Sequence, residues 1–177
     1  ANADVRFGFN HPKKDIDQNI LVTSNVLEAM KHNEVKKIIF SSTGSVYGEH
    51  KTIPTPEDAG FPIQTSLYAT SKIACEGLIT SYCNAYDMQS WIFRFVSIIG
   101  ERYQHGHIYD FFKQLQSNPD QLHILGDGHQ KKSYLYINDC LLFLLVKKSL
   151  SKKMLSDRSF NDRSFRDKSF NDRSVTL

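Results

Sequence analysis

Short apolar runs alternate with segments of helical periodicity along this chain, and that alternation restricts the folds it can adopt. The runs KKIIFSS (36–42) and QSWIFRFVSII (89–99) have the length and apolar content of buried strands. Residues 16–33 carry apolar side chains at helical spacing, and residues 67–86 predict a second helix. Strands that alternate with helices predict βαβ units, so the fold class is α/β with a parallel sheet and flanking helices.

The second half of the sequence continues the pattern with shorter elements. The predicted elements are a helix at 107–117, a strand at 122–125, a GDG turn at 126–128, a strand at 132–137 and a helix at 138–150. Asn138 suits the N-cap of the last helix, because its short polar side chain can accept a hydrogen bond from a free backbone N–H. Asn33 is the corresponding stop signal of the first helix.

Composition and cysteine usage indicate a soluble globular protein in a reducing, cytoplasmic setting. Hydrophobic residues make up 40% of the chain and charged residues 23%. The longest apolar run, LLFLLV at 141–146, is far too short to cross a membrane. The three cysteines are widely spaced and form no paired or histidine-rich motif, so we expect neither a disulfide framework nor a metal site.

Residues 151–177 differ in character from the rest. They contain the five-residue repeat SDRSF, NDRSF, RDKSF and NDRSV, with a single apolar residue in each copy. Such a tract cannot bury enough surface to offset its chain entropy, so we expect a disordered low-complexity tail. The tail also accounts for the net charge of +3, so the main body has balanced charge and does not indicate a basic surface for nucleic acid. A basic tail that binds nucleic acid or another partner is the alternative.

Tyr68 and Lys72 stand four residues apart in the predicted helix 67–86. Residues at this spacing lie on one helical face, so the phenol and the ammonium can address the same point. A nearby cation favours phenolate, and we therefore expect Lys72 to lower the pKa of Tyr68 towards neutrality. A tyrosine of this kind can act as an acid or base near pH 7. A surface helix with an ordinary tyrosine and lysine is the alternative.

The segment SSTGSVYG (41–48) follows the first predicted strand directly. In open parallel sheets ligands bind beyond the carboxyl ends of the strands, so its hydroxyl groups are candidate ligand contacts. Thr43 could bind a substrate alcohol while Tyr68 removes its proton and Lys72 assists. Loss of that proton pairs naturally with loss of hydride from the same carbon to a nicotinamide ring.

Taken in order, these segments resemble the extended short-chain dehydrogenases/reductases, specifically the NAD-dependent nucleotide-sugar epimerase/dehydratase branch of the UDP-glucose 4-epimerase type. The matching stretches are ANADVR (1–6), NILVTSNVLEA (19–29), KKIIFSSTGSVYG (36–48), P-x-x-x-S-x-YATSKIACE (62–76), RFVSIIG (94–100) and LHILGDGHQKKSYLYINDC (122–140), followed by the last helix. The resemblance implies that residues 1–150 are the C-terminal portion of an NAD-binding Rossmann-like domain with part of a substrate-binding region. It also implies a UDP-sugar substrate and a possible homodimer.

The resemblance assigns roles to particular residues. Thr43, Tyr68 and Lys72 fill the family's catalytic Ser/Thr, Tyr and Lys positions. The implied cofactor contacts are Asn19, Ser41, Ser42, Tyr68, Lys72 and Phe95, and the implied substrate contacts are Thr43, Ser45, Ser97 and Lys132. Ser97 replaces a frequent Asn of the family. Lys132 replaces an Arg that meets the diphosphate, which keeps the charge but loses the bidentate fork.

Structural roles are the alternatives for several of these residues. Asn19 could cap a helix, and Ser41 and Ser42 could satisfy backbone groups of a turn. Lys132 could be a solvated charge. For Arg94, a structural role at the end of a strand is the preferred interpretation.

Gly44 and Ser45 directly follow Thr43, so the carboxylate that related dehydratases place there is absent. Elimination of water lacks its proton donor, whereas inversion at C4 of the sugar does not require one. The sequence therefore favours an epimerase over a dehydratase, with a reductase left open.

A glycine-rich GxxGxxG turn for the NAD pyrophosphate does not occur in the 177 residues. The resemblance begins where the family has already passed three strands, so we expect a sheet truncated at its N-terminal side. Two hypotheses follow. In one, the sequence is part of an NAD-dependent nucleotide-sugar epimerase. In the other, the chain by itself is a non-catalytic fragment that depends on a partner, and we expect this for the 177 residues alone.

Overall fold

A computed structural model describes residues 1–3, 5–60, 63–145 and 174–176. The chain divides into two compact units, Ala1–Phe95 together with Ser164–Leu177, and Val96–Arg163. Both contain parallel strands and helices, which confirms the predicted α/β class.

The first unit begins with helices. They are α1 (Val5–Asn10), α2 (Pro12–Asp15), a π-helical segment (Ile16–Leu21) and α3 (Val22–His32). Pro12 starts α2, where its missing N–H costs no hydrogen bond. Asn33 ends α3 and its side-chain amide donates to the carbonyl oxygen of Ala29 at 2.8 Å. The predicted helix at 16–33 is therefore confirmed, although its first turns have the wider π winding.

A three-stranded parallel sheet forms the centre of this unit. Strands β1 (Lys37–Thr43) and β2 (Gln89–Phe95) pair in parallel along their whole length, and the order is β1-β2-β5 with β5 (Ser174–Thr176) beside β2. Helix α4 (Leu67–Tyr86) connects β1 to β2. Its N-cap Ser66 accepts a hydrogen bond from the Ala69 N–H, which fixes the start of the helix.

The core of the first unit lies between helices α3 and α4 and the sheet. The buried residues are Leu27, Met30, Ile79, Cys83, Met88 and Ile92. Strand β1 contributes less to it, since Ile39 is 54% exposed. At its carboxyl end Ser42 and Thr43 are buried, so this strand places its best-covered residues at the ligand-binding edge of the sheet.

The second unit contains β3 (Ser97–Ile99), α5 (His107–Ser117), β4 (Tyr134–Tyr136) and a helix, α6, at residues 137–145. Strands β3 and β4 pair in parallel. The prediction of one strand at 89–99 is wrong, because the run breaks at Val96 and its two parts pair with different partners.

Two further predictions in this unit are wrong. Residues 122–125 form no strand, and their side chains lie exposed. Asn138 lies inside α6 instead of capping it, because the helix begins at residue 137. The GDG turn is confirmed: Gly126 and Gly128 have φ of 91° and 78°, in the region that favours glycine.

Part of the predicted last helix, residues 146–150, and the repeat tail at 151–173 lie outside the described residues. None of the helices in the described ranges is long and apolar enough to span a membrane. Within the same ranges no group of three or more His, Cys, Asp or Glu side chains could hold a metal ion.

Candidate active site

The carboxyl end of β1 brings two hydroxyl groups together. Thr43 ends the strand in an extended conformation and caps the following 3-10 turn (Gly44–Tyr47). Its Oγ1 accepts from the Ser45 N–H at 3.2 Å and lies 3.2 Å from the Ser45 Oγ. Tyr68, in the first turn of α4, lies close enough for the Thr43 side chain to lower the pKa of its phenol. The structure therefore places Thr43 and Tyr68 in one site.

Lys72 lies one helical turn beyond Tyr68 and is buried. Its ammonium donates to the carbonyl oxygen of Ser41 at 2.8 Å. The Nζ atom lies 4.9 Å from the ring centroid of Phe40 and 5.9 Å from that of Tyr68. The predicted one-face arrangement of Tyr68 and Lys72 is thus present, with the ammonium anchored on the backbone of β1.

The expected lowering of the Tyr68 pKa is absent from this arrangement. Burial raises the pKa of Tyr68 above its ordinary value, and the charge of Asp15 adds to that effect, whereas the hydrogen bond to Thr43 opposes it. Burial also lowers the pKa of Lys72. The prediction was wrong because helical spacing does not report burial: desolvation of the phenol disfavours phenolate, and the Lys72 ammonium donates to the Ser41 carbonyl oxygen.

Asn19 lies in a buried polar cluster beneath the start of α4. Its side-chain amide donates to the Ser71 Oγ at 2.8 Å and to the Asp15 carboxylate at 3.3 Å, and Ser71 donates to the Tyr68 carbonyl oxygen at 2.7 Å. Asn19 sits inside the π-helical segment and caps no helix. Its Oδ1 is buried and has no hydrogen-bond partner among the described residues, which fits an acceptor for a donor group of a bound cofactor.

Ser41, Ser42 and Phe95 have different surroundings. Ser41 is exposed and offers its carbonyl oxygen to Lys72. Ser42 is buried, and its hydroxyl donates to the Glu76 carboxylate, so it faces the interior of the protein. Phe95 pairs with Thr43 across the sheet and stacks on Phe93 at 5.7 Å between ring centroids.

Glu76 lies beside these residues, although no sequence prediction named it. This carboxylate accepts from Arg94 Nη2 at 2.8 Å and from Arg94 Nε at 3.2 Å, and the two side chains are only 9% and 13% exposed. Arg94 also donates to the Glu57 carbonyl oxygen and lies 4.8 Å from the ring centroid of Tyr47. The structural interpretation of Arg94 agrees with these contacts.

The positive charge of Arg94 is strongly fixed. Burial lowers the pKa of Arg94, but hydrogen bonds with Glu76 and Tyr47 outweigh it and hold the pKa above its ordinary value.

One sequence signal could have found Glu76, because Tyr68, Lys72 and Glu76 repeat at intervals of four along one helical face.

The remaining predicted substrate contacts fall in two places. Ser45 is exposed beside Thr43. Ser97 lies in β3 and Lys132 precedes β4, both in the second unit. The roles of all three stay predictions.

Comparison with known proteins identifies close resemblances over most of the chain. The model of the NAD dependent epimerase/dehydratase family matches residues 1–154. UDP-glucuronate 4-epimerase of Thermodesulfobacterium geofontis is 32% identical over 140 residues, which cover 78% of this chain and 43% of that protein. The chain spans about half the length of the curated relatives it matches.

Solved structures show the same similarity. A crystal structure of UDP-galactose 4-epimerase superposes with a TM-score of 0.77 and 33% identity, over 86% of this chain and 50% of that one. The NAD-dependent NDP-hexosamine 5,6-dehydratase TunA superposes with a TM-score of 0.74 and 26% identity, over 82% and 48% of the two chains. Epimerase and dehydratase thus share this fold, so the reaction must be inferred from the site itself.

Proposed function

Because the chain belongs to the NAD-dependent epimerase/dehydratase family, we propose that it provides the Thr-Tyr-Lys site of a UDP-sugar 4-epimerase. One observation carries the proposal: Lys72, whose Nζ lies 5.9 Å from the Tyr68 ring centroid, donates to the Ser41 carbonyl oxygen at the carboxyl end of β1, two residues before Thr43. The relatives are named for UDP-sugars, which favours uridine in the substrate.

In this proposal the three residues handle the proton on the C4 hydroxyl of the sugar. Thr43 hydrogen-bonds the C4 oxygen, and Tyr68 takes up its proton and later returns it. Bound NAD supplies the hydride acceptor at C4. Lys72 provides positive charge on the same helical face, and turning its ammonium from the Ser41 carbonyl oxygen towards the phenol would favour phenolate.

Other residues of this chain suit the proposed ligands. The buried Asn19 Oδ1 can accept a hydrogen bond from the cofactor, and Phe95 lies beside Thr43 in the sheet. Ser45 is exposed next to Thr43 and can meet the sugar. Ser97 and Lys132 are proposed to contact the nucleotide sugar, with Lys132 near its diphosphate.

The residues after Thr43 favour epimerisation over dehydration. Dehydration needs an acid that protonates the leaving hydroxyl, yet Gly44 and Ser45 occupy the positions where a carboxylate would stand. Epimerisation requires only that the keto sugar turn over before hydride returns to its other face.

A homodimer and a cytoplasmic location complete the proposal. Val22 and Val26 of α3 are exposed apolar side chains, and α3 packs beside α4, so a second copy could cover them. Sedimentation velocity would detect the dimer. The three cysteines are free, in agreement with a reducing compartment.

Titration with NAD distinguishes the hypothesis that the chain is part of an enzyme from the hypothesis that it is a non-catalytic fragment. We expect the 177 residues alone to bind NAD weakly, because their sequence contains no glycine-rich phosphate turn. Adding a separate polypeptide that carries a GxxGxxG strand-turn-helix should restore NAD binding. We call the mixture of this polypeptide with the 177-residue chain the complemented chain. Tight binding by the chain alone would overturn the non-catalytic hypothesis, and no binding by the complemented chain would contradict the enzyme hypothesis.

The reaction is tested by incubating the complemented chain with NAD and UDP-glucose or UDP-glucuronate. Proton NMR of the sugar should show inversion at C4. A 4-keto-6-deoxy product would instead support a dehydratase. Absence of any product with a panel of nucleotide sugars, despite bound NAD, would contradict the proposed activity.

A further inference from the structure

Three consecutive residues of β1 contact three residues of α4 that are spaced four apart. The Ser41 carbonyl oxygen accepts from Lys72, the Ser42 hydroxyl donates to Glu76, and the Thr43 side chain lies close enough to Tyr68 to lower the pKa of its phenol. Residues 68, 72 and 76 lie on one helical face, because four residues are slightly more than one turn. The end of one strand is therefore attached to three successive turns of one helix.

Glu76 joins this helix to both strands at the same level of the sheet. Ser42 and Arg94, the two side chains that bind the Glu76 carboxylate, are directly paired residues of β1 and β2. Arg94 extends the contact to the Glu57 backbone and the Tyr47 ring. A displacement of α4 along the sheet would break the contacts on both strands together.

We propose that Glu76 and Arg94 are positioning residues that hold the Tyr68 phenol against the Thr43 hydroxyl. Glu76 lies eight residues beyond Tyr68 on the rigid α4, and Ser42 immediately precedes Thr43. The ion pair thus fixes the distance between the two groups that share the substrate oxygen. This inference deepens the proposed epimerase function and, for its catalytic consequence, rests on it.

If Glu76 and Arg94 only stabilise the fold, a variant that keeps its stability should also keep its activity. Replacement of a buried ion pair by well-packed apolar residues is often neutral or stabilising, whereas removal of one partner is costly. The double variant Glu76→Met/Arg94→Met should therefore keep most of the stability while losing the contacts to Ser42, Glu57 and Tyr47. This variant therefore tests the positioning of Tyr68 without a large loss of stability.

The kinetic test compares this double variant with the wild type in the complemented chain. We expect kcat to fall by about 10- to 100-fold, as for small misplacements of reacting groups, with KM changed less than about threefold. Glu28→Gln is the matched control, because it removes the charge of an exposed ion pair with Lys31 and of the acceptor for Tyr82, a residue of α4 like Glu76. Wild-type kcat in the folded double variant would overturn the proposal.

A second readout does not depend on turnover. With tyrosine labelled at Cζ with ¹³C, and the Tyr68 signal assigned from Tyr68→Phe, Thr43→Ala should shift that signal in the otherwise wild-type chain. In the Glu76→Met/Arg94→Met background the same change should have little effect, whereas the Glu28→Gln background should retain the full shift. Persistence of the full shift in the double variant would contradict positioning.

Ser42→Ala provides the same test in a milder form, should the double variant not fold. It removes the link from β1 to Glu76 and leaves the ion pair with Arg94 in place. We expect a partial loss of the Thr43-dependent shift, and an undiminished shift would overturn the proposal. If the wild type converts no nucleotide sugar, the proposed function fails, while these NMR shifts still decide the positioning role.

Discussion

Two buried polar clusters contact α4, and they differ in how well their atoms are satisfied. Around Glu76, the carboxylate accepts from Ser42 and from two nitrogen atoms of Arg94. Around Asn19, the buried Asp15 Oδ2 and Asn19 Oδ1 have no hydrogen-bond partner among the described residues. A buried polar group without a partner costs free energy, so the difference is informative.

The unsatisfied atoms indicate where a ligand is needed. The Glu76 cluster is complete within the protein, and its role is to hold strands and helix in register. The Asn19 cluster lies beneath the start of α4, where Ser71 links it to the Tyr68 backbone. The buried Asn19 Oδ1 gains a hydrogen bond when a ligand supplies the missing donor. This contrast agrees with the proposed cofactor site on the Asn19 side.

The largest expected effect comes from Tyr68, the proposed acid-base residue. Tyr68→Phe in the complemented chain should lower kcat by about 10²- to 10⁴-fold, because general acid-base catalysis contributes that much. Stability should change little, since only the hydroxyl is removed. Steady-state kinetics and thermal unfolding check the two parts, and a variant with more than half the wild-type kcat would remove Tyr68 from the mechanism.

Removal of one member of the satisfied cluster should reduce stability strongly. Glu76→Gln leaves the Arg94 guanidinium buried without its counter-charge, which costs about 3 kcal/mol for a buried pair. Urea unfolding of this variant and of Glu28→Gln, whose ion pair is exposed, gives the contrast. Equal losses of unfolding free energy in the two variants would show that the Glu76–Arg94 pair contributes no more to stability than an exposed ion pair.

A substitution in the Asn19 cluster should change the affinity for NAD. Asn19→Ala removes the orphaned acceptor, and we expect NAD affinity of the complemented chain to fall about tenfold, the size of one hydrogen bond of about 1.4 kcal/mol. Glu76→Gln, measured as the folded protein, should leave NAD affinity nearly unchanged. Isothermal titration distinguishes them, and equal affinities for wild type and Asn19→Ala would end the contrast between the clusters.

The smallest expected effect is on the pH dependence of stability. The raised pKa of Tyr68 means that the unfolded chain loses this proton first, so the contribution of Tyr68 to stability is full below about pH 10 and is lost as the pH rises above it. The lowered pKa of Lys72 acts in the opposite sense, since its cost falls as the ammonium is neutralised.

Denaturant titrations from about pH 9 to 11 check this sign. Tyr68→Phe should lose less stability over the range than the wild type, whereas Lys72→Met should lose more. A steeper loss in Tyr68→Phe would show that the phenol is more easily ionised in the folded chain than in the unfolded one.

Local signals made part of the fold predictable. The sequence predicts a helix at 67–86, and α4 spans Leu67–Tyr86 with Ser66 as its N-cap. The break of the run 89–99 at Val96 was not predictable, because the apolar composition is continuous and only the pairing partners differ. Local pattern therefore located the elements, while tertiary pairing decided where strands end.

The candidate site divides in the same way. The spacing of Tyr68 and Lys72 and the place of Thr43 at a strand end were readable from the sequence. The Glu76–Arg94 pair depends on strand register, since the two residues lie 18 apart in the chain. The direction of the Tyr68 pKa depends on burial, which no short motif reports.

Isotope labelling at C4 tests the central claim most directly. UDP-glucose carrying deuterium at C4 is incubated with NAD and the complemented chain, and the product is analysed by NMR and mass spectrometry. A Thr43-Tyr68-Lys72 epimerase predicts the C4-inverted sugar with its deuterium retained, since the same hydride leaves and returns, and product formation about 10²- to 10⁴-fold slower with Tyr68→Phe. Inverted product that has lost its deuterium to water, or that forms equally fast with Tyr68→Phe, would contradict the account.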